Sequence, residues 1–393
     1  MKKVSIISTF AVAITVGLSG CNNSEDDVNT VGQSGDNSSV ASIDYGKKAM
    51  EYLVEVTDET QGIGQRQTTT QREIEAGNWI YNKLAGFGYD VTVQPFSYKP
   101  RGKDEIAYSN NYIVEKKGKT DKTIVLAAHY DSTGSQTGSL GATDNGSGVV
   151  SLIAIAEKIQ EVDTPYNVRF VLVGAEENGV NGSLHYVKDA YANGKLDNVI
   201  AMINEDTVNG GDYVYVHSAH SDYSHFKDSC EKIGFSDKTY SADPVFRKAV
   251  LQASIDVLGE KGAFNIHPEV LTSEGEVDYP EGETGSWSDH AGFACAGIPI
   301  ANVESTNYNI NGKWGYDGYS QTTHPDTWDC YDEATKTACN RETETKWGKI
   351  WHMEFDRIDK LEELFPGRIE KQLSDNVHVM IELLTNKKYF NAE

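Results

Sequence analysis

The chain has 393 residues, and 35 Lys+Arg against 59 Asp+Glu give it a formal net charge of −24. An acidic balance of that size excludes a nucleic-acid binder, which needs a basic face to neutralise phosphates. With 38% hydrophobic and 10% aromatic residues the composition excludes a disordered chain, and the length suits one large domain or two ordinary ones.

Lys2 and Lys3 precede an apolar run from Val4 to Val16, and Leu18-Ser19-Gly20-Cys21 follows. A charged start, a short apolar stretch and small residues before a cysteine predict a signal peptide over 1–20 rather than a permanent membrane span. Leu-Ser-Gly-Cys resembles a bacterial lipobox, in which the cysteine is lipidated and becomes the first mature residue. The expectation is an exported protein anchored through Cys21 to a bacterial membrane, on its periplasmic face or at the cell surface. Residues 21–42 are polar and acidic and contain no Lys or Arg, which predicts a solvated tether ahead of one folded domain over 43–393.

From Ile43 onward strand-like and helix-like patterns alternate. Arg72 to Leu84 carries Ile74, Trp79, Ile80 and Leu84 at helical spacing, and Asp90 to Gln94 alternates as a strand. Thr123 to Ala128 is a continuous apolar run, the mark of a buried strand. Val149 to Ile159 is apolar at helical spacing, with Ser147 as its expected cap. Val168–Val173, Val199–Ile203, Tyr213–Val216 and Ile298–Ala301 supply further strands. Strands separated by helix-length segments predict an α/β fold, a central, mostly parallel mixed sheet with helices on both faces.

Cys230, Cys295, Cys330 and Cys339 remain beyond Cys21. An even number in an exported chain suggests two disulfides. Cys330 and Cys339 share one polar stretch and are the expected local bridge; Cys230 with Cys295 follows only by elimination. The spacings are not those of a zinc ribbon.

Polar residues collect just after the buried strands, where α/β sheets carry their chemistry. The first such strand ends in Ala127-Ala128-His129-Tyr130-Asp131, and Asp131 is spaced to hold the His129 ring in one tautomer. Asp144-Asn145-Gly146-Ser147-Gly148 opens a helix, Gly174-Ala175-Glu176-Glu177 ends the next strand, and Asn204-Glu205-Asp206 ends the one after. Singly, these are ordinary: a surface His and Asp pair, a helix-start Asp, a solvated Glu pair. Together they bring His, Asp, Glu-Glu and Asp to one rim, where such charges repel unless a cation neutralises them. A mixed His and carboxylate set without Cys suits a divalent transition metal such as zinc.

These segments, with Gly285-Ser-Trp-Ser-Asp289-His290-Ala-Gly-Phe293 and Ala296–Ile300, resemble the co-catalytic dizinc aminopeptidases of peptidase family M28. Val303–Tyr308 and Phe365–Ile369 are similar to one bacterial subgroup, the aminopeptidases of alkaline phosphatase isozyme conversion. The resemblance runs from about Tyr45 to Tyr389 and implies a zinc-exopeptidase, phosphorylase/hydrolase-like fold holding two zinc ions per chain. Asp144 would bridge them, His129 and Asp206 completing one site and Glu177 with a distal histidine the other. Glu176 would be the general base toward a water made acidic by the metal pair.

The distal ligand has three candidates, of which His290 lies in the Ser-Asp-His segment that resembles the substrate pocket instead. Trp351-His352-Met-Glu-Phe-Asp356 carries the family's aromatic before the ligand and an Asp four residues after it, while Thr323-His324-Pro325-Asp326 has Trp328 at that later place. His352 is the preferred ligand, with Asp356 behind it. Trp351 stands where many relatives have Tyr, so a hydroxyl aimed at the oxyanion is missing there. Asp289, His290, Phe293 and Trp351 are the expected lining of the substrate pocket. Residues 311–349, polar and aromatic, are expected as an insertion, either a rim over the site or plain surface. The remaining histidines have no matching context.

The resulting reading is a lipid-anchored aminopeptidase acting on the N-termini of peptides or exported proteins. The alternatives are a carboxypeptidase, dipeptidase or glutaminyl-cyclase-like enzyme on the same scaffold, or a binding lipoprotein without activity.

Overall fold

The computed structural model describes residues 43–390, apart from Ser135 and Ser273. The expectations for Cys21, the signal peptide and the tether lie outside the described residues. Among the described residues no helix is long and apolar enough to cross a membrane.

The chain enters through α1 (Tyr45–Thr57) and α2 (Gln71–Gly86), then runs β1 (Thr92–Tyr98), β2 (Ala107–Lys116) and β3 (Thr123–His129). After α3 (Gly148–Gln160) come β4 (Asn167–Val173), α4 (Asn181–Ala192), β5 (Val199–Glu205), β6 (Tyr213–Ala219), α5 (Lys227–Lys232) and α6 (Val245–Leu258). A small hairpin, β7 (Val270–Leu271) with β8 (Val277–Tyr279), precedes β9 (Glu283–Thr284), α7 (His290–Cys295) and β10 (Ile300–Thr306). A second hairpin, β11 (Tyr331–Asp332) and β12 (Thr337–Ala338), sits within 311–349, and α8 (Ile358–Leu364) and α9 (Arg368–Thr385) close the domain.

One mixed sheet has the order β1-β2-β4-β3-β5-β10-β6-β9. Its centre, β4-β3-β5-β10, is parallel, while β1, β2 and β6 pair antiparallel with their inner neighbours. Every residue of β3 is buried, as a strand covered on both faces requires. On one face α1, α2, α3, α6 and α9 form the larger core; α4, α5 and α7 cover the other. α3 is buried nearly all round because it lies between the sheet and α1 and α9. Cys230 and Cys295 are joined within the second core, and Cys330 and Cys339 are joined under the second hairpin.

Two local readings are corrected. Ile74, expected on the core face of α2, is 55% exposed, and Glu73 is buried in its place. Glu73 accepts the Thr69 backbone N–H and the Ser109 hydroxyl, both at 2.6 Å, while the Thr70 hydroxyl caps Glu73. This is a capping arrangement that turns the acidic side chain inward. Ser147 does not cap α3: its hydroxyl donates to the Thr143 carbonyl at 2.7 Å and accepts the Val208 N–H.

Register sets the site. His129 lies opposite Val173, and Ala127 opposite Asn204, so Gly174–Glu177 and Asp206 emerge level with His129 at the carboxyl ends of three parallel strands.

Candidate metal centre

Three strand ends and two loops converge on one spot. His129 Nε2 is 3.3 Å from Asp144 Oδ1 and 3.5 Å from Asp206 Oδ1. His352 Nε2 is 3.0 Å from the other oxygen of Asp144 and 2.9 Å from Glu177 Oε2. Two groups of donor atoms result, His129–Asp144–Asp206 and Asp144–Glu177–His352, each within 4.8 Å and sharing Asp144. His324 is elsewhere, edge-on to Phe365 in a separate cavity lined by Thr322–Pro325 and Leu364–Pro366.

Each group is aimed by hydrogen bonds from its far side. The His129 Nδ1 faces the Asp131 carbonyl at 3.1 Å, which fixes Nδ1 as the protonated nitrogen and turns Nε2 toward the carboxylates. The Asp131 carboxylate accepts the backbone N–H groups of Glu176 and Glu177 at 3.0 and 3.2 Å. Glu177 accepts the Thr133 N–H, and Asp206 Oδ2 accepts the Ser288 hydroxyl at 2.7 Å. Asp356 holds the turn before Asp144 through Thr143 and Ser139.

Strain marks the same segments. Ala175 before Glu176, Thr207 after Asp206, and His352 itself have φ of 57°, 52° and 60°, a region non-glycine residues rarely occupy outside functional sites. Gly141, at φ 64°, has no room for a side chain: a Cβ there would meet Asp144 O and Ser132 Cβ at 2.6 Å.

Arg66, which the sequence reading missed, is completely buried. Its guanidinium donates to the carbonyls of Gly64, Tyr130, Leu140 and Gly141 at 2.8–3.0 Å. It thereby laces the loop after β3 to the turn carrying Asp144. Burial pushes its pKa down to about 10, opposed by Asp356, Asp131, Asp144 and Glu177. Nothing local in Gly-Ile-Gly-Gln-Arg-Gln signals this, because the carbonyls of Tyr130, Leu140 and Gly141 lie far along the chain.

The electrostatics favour cations. Burial penalises the Asp144 charge, yet the neighbouring His129 and His352 imidazoles hold its carboxyl below the usual carboxylate range. Burial and Asp144 push Glu177 up to about 7. His129 Nε2 and Asp206 Oδ1 are buried without hydrogen-bond partners; a buried polar atom left so needs another partner, and a metal ion between them is one. The donor set, two imidazoles and three carboxylates with hydrogen-bonded outer atoms, fits zinc.

Glu176 lines a cavity of about 1080 Å³ together with Asp144, Glu177, Asp206 and His352. Burial and repulsion from Asp289, Glu177 and Asp206 raise the Glu176 carboxyl well above its ordinary pKa, against His129. Trp351 lines the cavity as expected. Asp289, His290 and Phe293 do not: all three are fully buried beneath it, His290 bonded to the Gly285 carbonyl and Phe293 packed on Tyr186. α7 turns Phe293 into the second core and His290 onto Phe226, while Asp289 just before it faces Ser183, so the wall from this segment is Trp287. Much of the rest comes from 311–319 and Arg341 of the insertion.

Comparison with known proteins places the family and the fold. The model for peptidase family M28 matches residues 111–377. The alkaline phosphatase isozyme conversion protein of Escherichia coli (strain K12) is 24% identical over 339 residues, 81% of this chain and 85% of that protein. Among solved structures, the zinc aminopeptidase BSAP of Bacillus subtilis aligns with a TM-score of 0.55 at 17% identity, covering 87% of this chain and 96% of that one. A glutaminyl cyclase of Fimbriiglobus ruber aligns at 0.56 and 18% identity, covering 86% and 94%. At such identities the two structures establish a shared fold.

Proposed function

Because the chain belongs to peptidase family M28, we propose that it is a two-zinc aminopeptidase that removes N-terminal residues from peptides or exported proteins. The observation that carries this reading is the pair of donor groups sharing Asp144, with Glu176 facing the cavity beside them. His129, Asp144 and Asp206 would hold one zinc; Asp144, Glu177 and His352 the other. Bound there, zinc supplies Lewis acidity, making a water a nucleophile near neutral pH and polarising the scissile carbonyl.

The chain's own residues do the rest. Glu176 accepts a proton from the attacking water at a carboxylate oxygen and delivers it to the leaving amine nitrogen. Its buried setting, which favours the protonated form, suits the second transfer. Glu177 cannot share this role, because both its oxygens face His352 Nε2. Asp131 fixes the orientation of both by holding their backbone N–H groups. Aromatic walls from Trp287, Tyr308, Trp314 and Trp351 give the cavity apolar surface for a side chain while leaving the metal-facing end polar.

The complete donor set together with Glu176 favours hydrolysis over glutaminyl cyclisation. Incubating the purified, zinc-loaded protein with a peptide library and reading products by mass spectrometry tests this. Shortening from the amino end is the expected result; shortening from the carboxyl end, or loss of ammonia from N-terminal Gln without chain cleavage, would replace the reading. Anchorage through Cys21 is part of the proposal, and Cys21→Ser should abolish incorporation of a palmitate analogue.

A further inference from the structure

The insertion carries two lysines that form no ion pair among the described residues: Lys313, which lines the cavity, and Lys349, which packs on Trp351 of the cavity lining. Lys313 lines the cavity, 4.9 Å from the Trp314 ring centroid and 5.9 Å from that of Tyr319. Lys349, half-buried, lies 3.3 Å from the Trp351 centroid and 5.4 Å from that of Tyr319. Tyr319 and Trp351 meet edge to face at 5.4 Å, and both line the cavity. The two lysines thus approach one aromatic pair, on a wall continuous with His352.

Neither ammonium forms an ion pair among the described residues, although the chain has 24 more acidic than basic side chains. Asp317, the acidic residue nearest Lys313 in sequence, accepts the Tyr319 backbone N–H and is paired with neither lysine. Arg341, also on this wall, donates to the carbonyls of Asn311, Gly312 and Lys313, which fixes the backbone from which Lys313 extends. Burial lowers Lys349 to about 8, with Asp144 and Glu177 opposing and Lys313 adding repulsion. Two cations that repel each other over apolar rings, beside a substrate cavity, form a site that an anion would relieve.

We propose that Lys313 and Lys349, held on Tyr319 and Trp351, form a subsite for a carboxylate of the bound peptide. This rests on the aminopeptidase reading above. The carboxylate is either the C-terminal α-carboxylate of a short peptide or an Asp or Glu side chain beyond the scissile bond. Substrates carrying one would be preferred over otherwise identical neutral ones.

The test compares kcat/KM for Leu-Gly-Gly, Leu-Gly-Gly-amide and Leu-Gly-Asp-amide, with release of Leu measured for the full zinc-loaded protein, Lys313→Met and Lys349→Met. The expected result is at least a tenfold preference for a carboxylate substrate over the neutral amide, shrinking with added NaCl and falling to near unity in both variants. Because each protein is judged by a ratio, a general loss of activity in a variant does not mimic the effect. A favoured Leu-Gly-Gly assigns the site to the chain terminus, and a favoured Leu-Gly-Asp-amide assigns it to an acidic side chain. A ratio near unity in the parent protein, or one unaltered in both variants, overturns the proposal. Failure to release Leu from any of the three would instead count against the aminopeptidase reading.

Discussion

Asp356 Oδ1 accepts both the backbone N–H of Thr143, at 2.6 Å, and its hydroxyl, at 3.0 Å, so the residue just before Asp144 is gripped from the loop that carries His352. The two donor groups are therefore mechanically linked behind the metal site. Asp356→Ala should weaken zinc binding by about 10- to 100-fold, the usual cost of losing such support. Chelator competition followed by metal analysis checks this, and Asp356→Asn, which keeps one acceptor oxygen, should fall between the two.

Glu176→Gln removes the proposed proton acceptor while leaving the donor groups intact. A loss in kcat of about 10²- to 10⁴-fold on aminoacyl-p-nitroanilides is expected, with zinc content unchanged. Near parental activity at full zinc loading would remove Glu176 from the mechanism.

The distal ligand is settled by metal stoichiometry. His352→Ala should lose one zinc and His324→Ala should keep both, since only His352 approaches Asp144 and Glu177. The opposite outcome would move the ligand to His324.

Glu73 gives a pH dependence of stability separate from the metal site. Burial pushes its carboxyl from 4.5 up to about 7. Its protonated form is the one the fold favours, so its contribution is full below about pH 4.5 and is lost as pH rises through about 7. The change is on the order of 3 kcal/mol. Thermal melts of Glu73→Gln between pH 5 and 8 should show a shallower fall of Tm with rising pH than the parent protein.

Arg66→Lys should be destabilising although charge is kept, because an ammonium has no planar fork to reach four carbonyls spread over separate loops. The expected loss is above about 3 kcal/mol, in the range reserved for broken buried networks. Denaturant unfolding at fixed zinc concentration measures it.

The legible parts of this protein are those whose signal is local. The parallel strands read as apolar runs, with His129, Glu176, Glu177 and Asp206 just at or beyond their ends and Asp144 in the turn that opens α3. His352 was favoured over His324 by Asp356 four residues on, which the structure shows bonded to the Asp144 turn. Arg66 was invisible because carbonyls have no sequence signature. Asp289, His290 and Phe293 were in the right segment but on the wrong side of it, since a one-turn helix such as α7 has two faces and the pattern did not say which is wet. Glu73 and Ile74 were exchanged for the same reason: a capping interaction outweighed hydrophobic periodicity.

The contacts that aim the donor groups, Asp131 to His129, Thr133 to Glu177, Ser288 to Asp206 and Asp356 to the turn before Asp144, are all made by atoms of the protein itself. Much of the bracing around the proposed zinc site is therefore present in the chain before any ion binds. Zinc should leave to a chelator and return to the same geometry without refolding, and other divalent ions of similar preference should exchange into it. Metal identity then becomes a property of the surroundings in which the finished protein finds itself, and activity can be switched on after folding is complete.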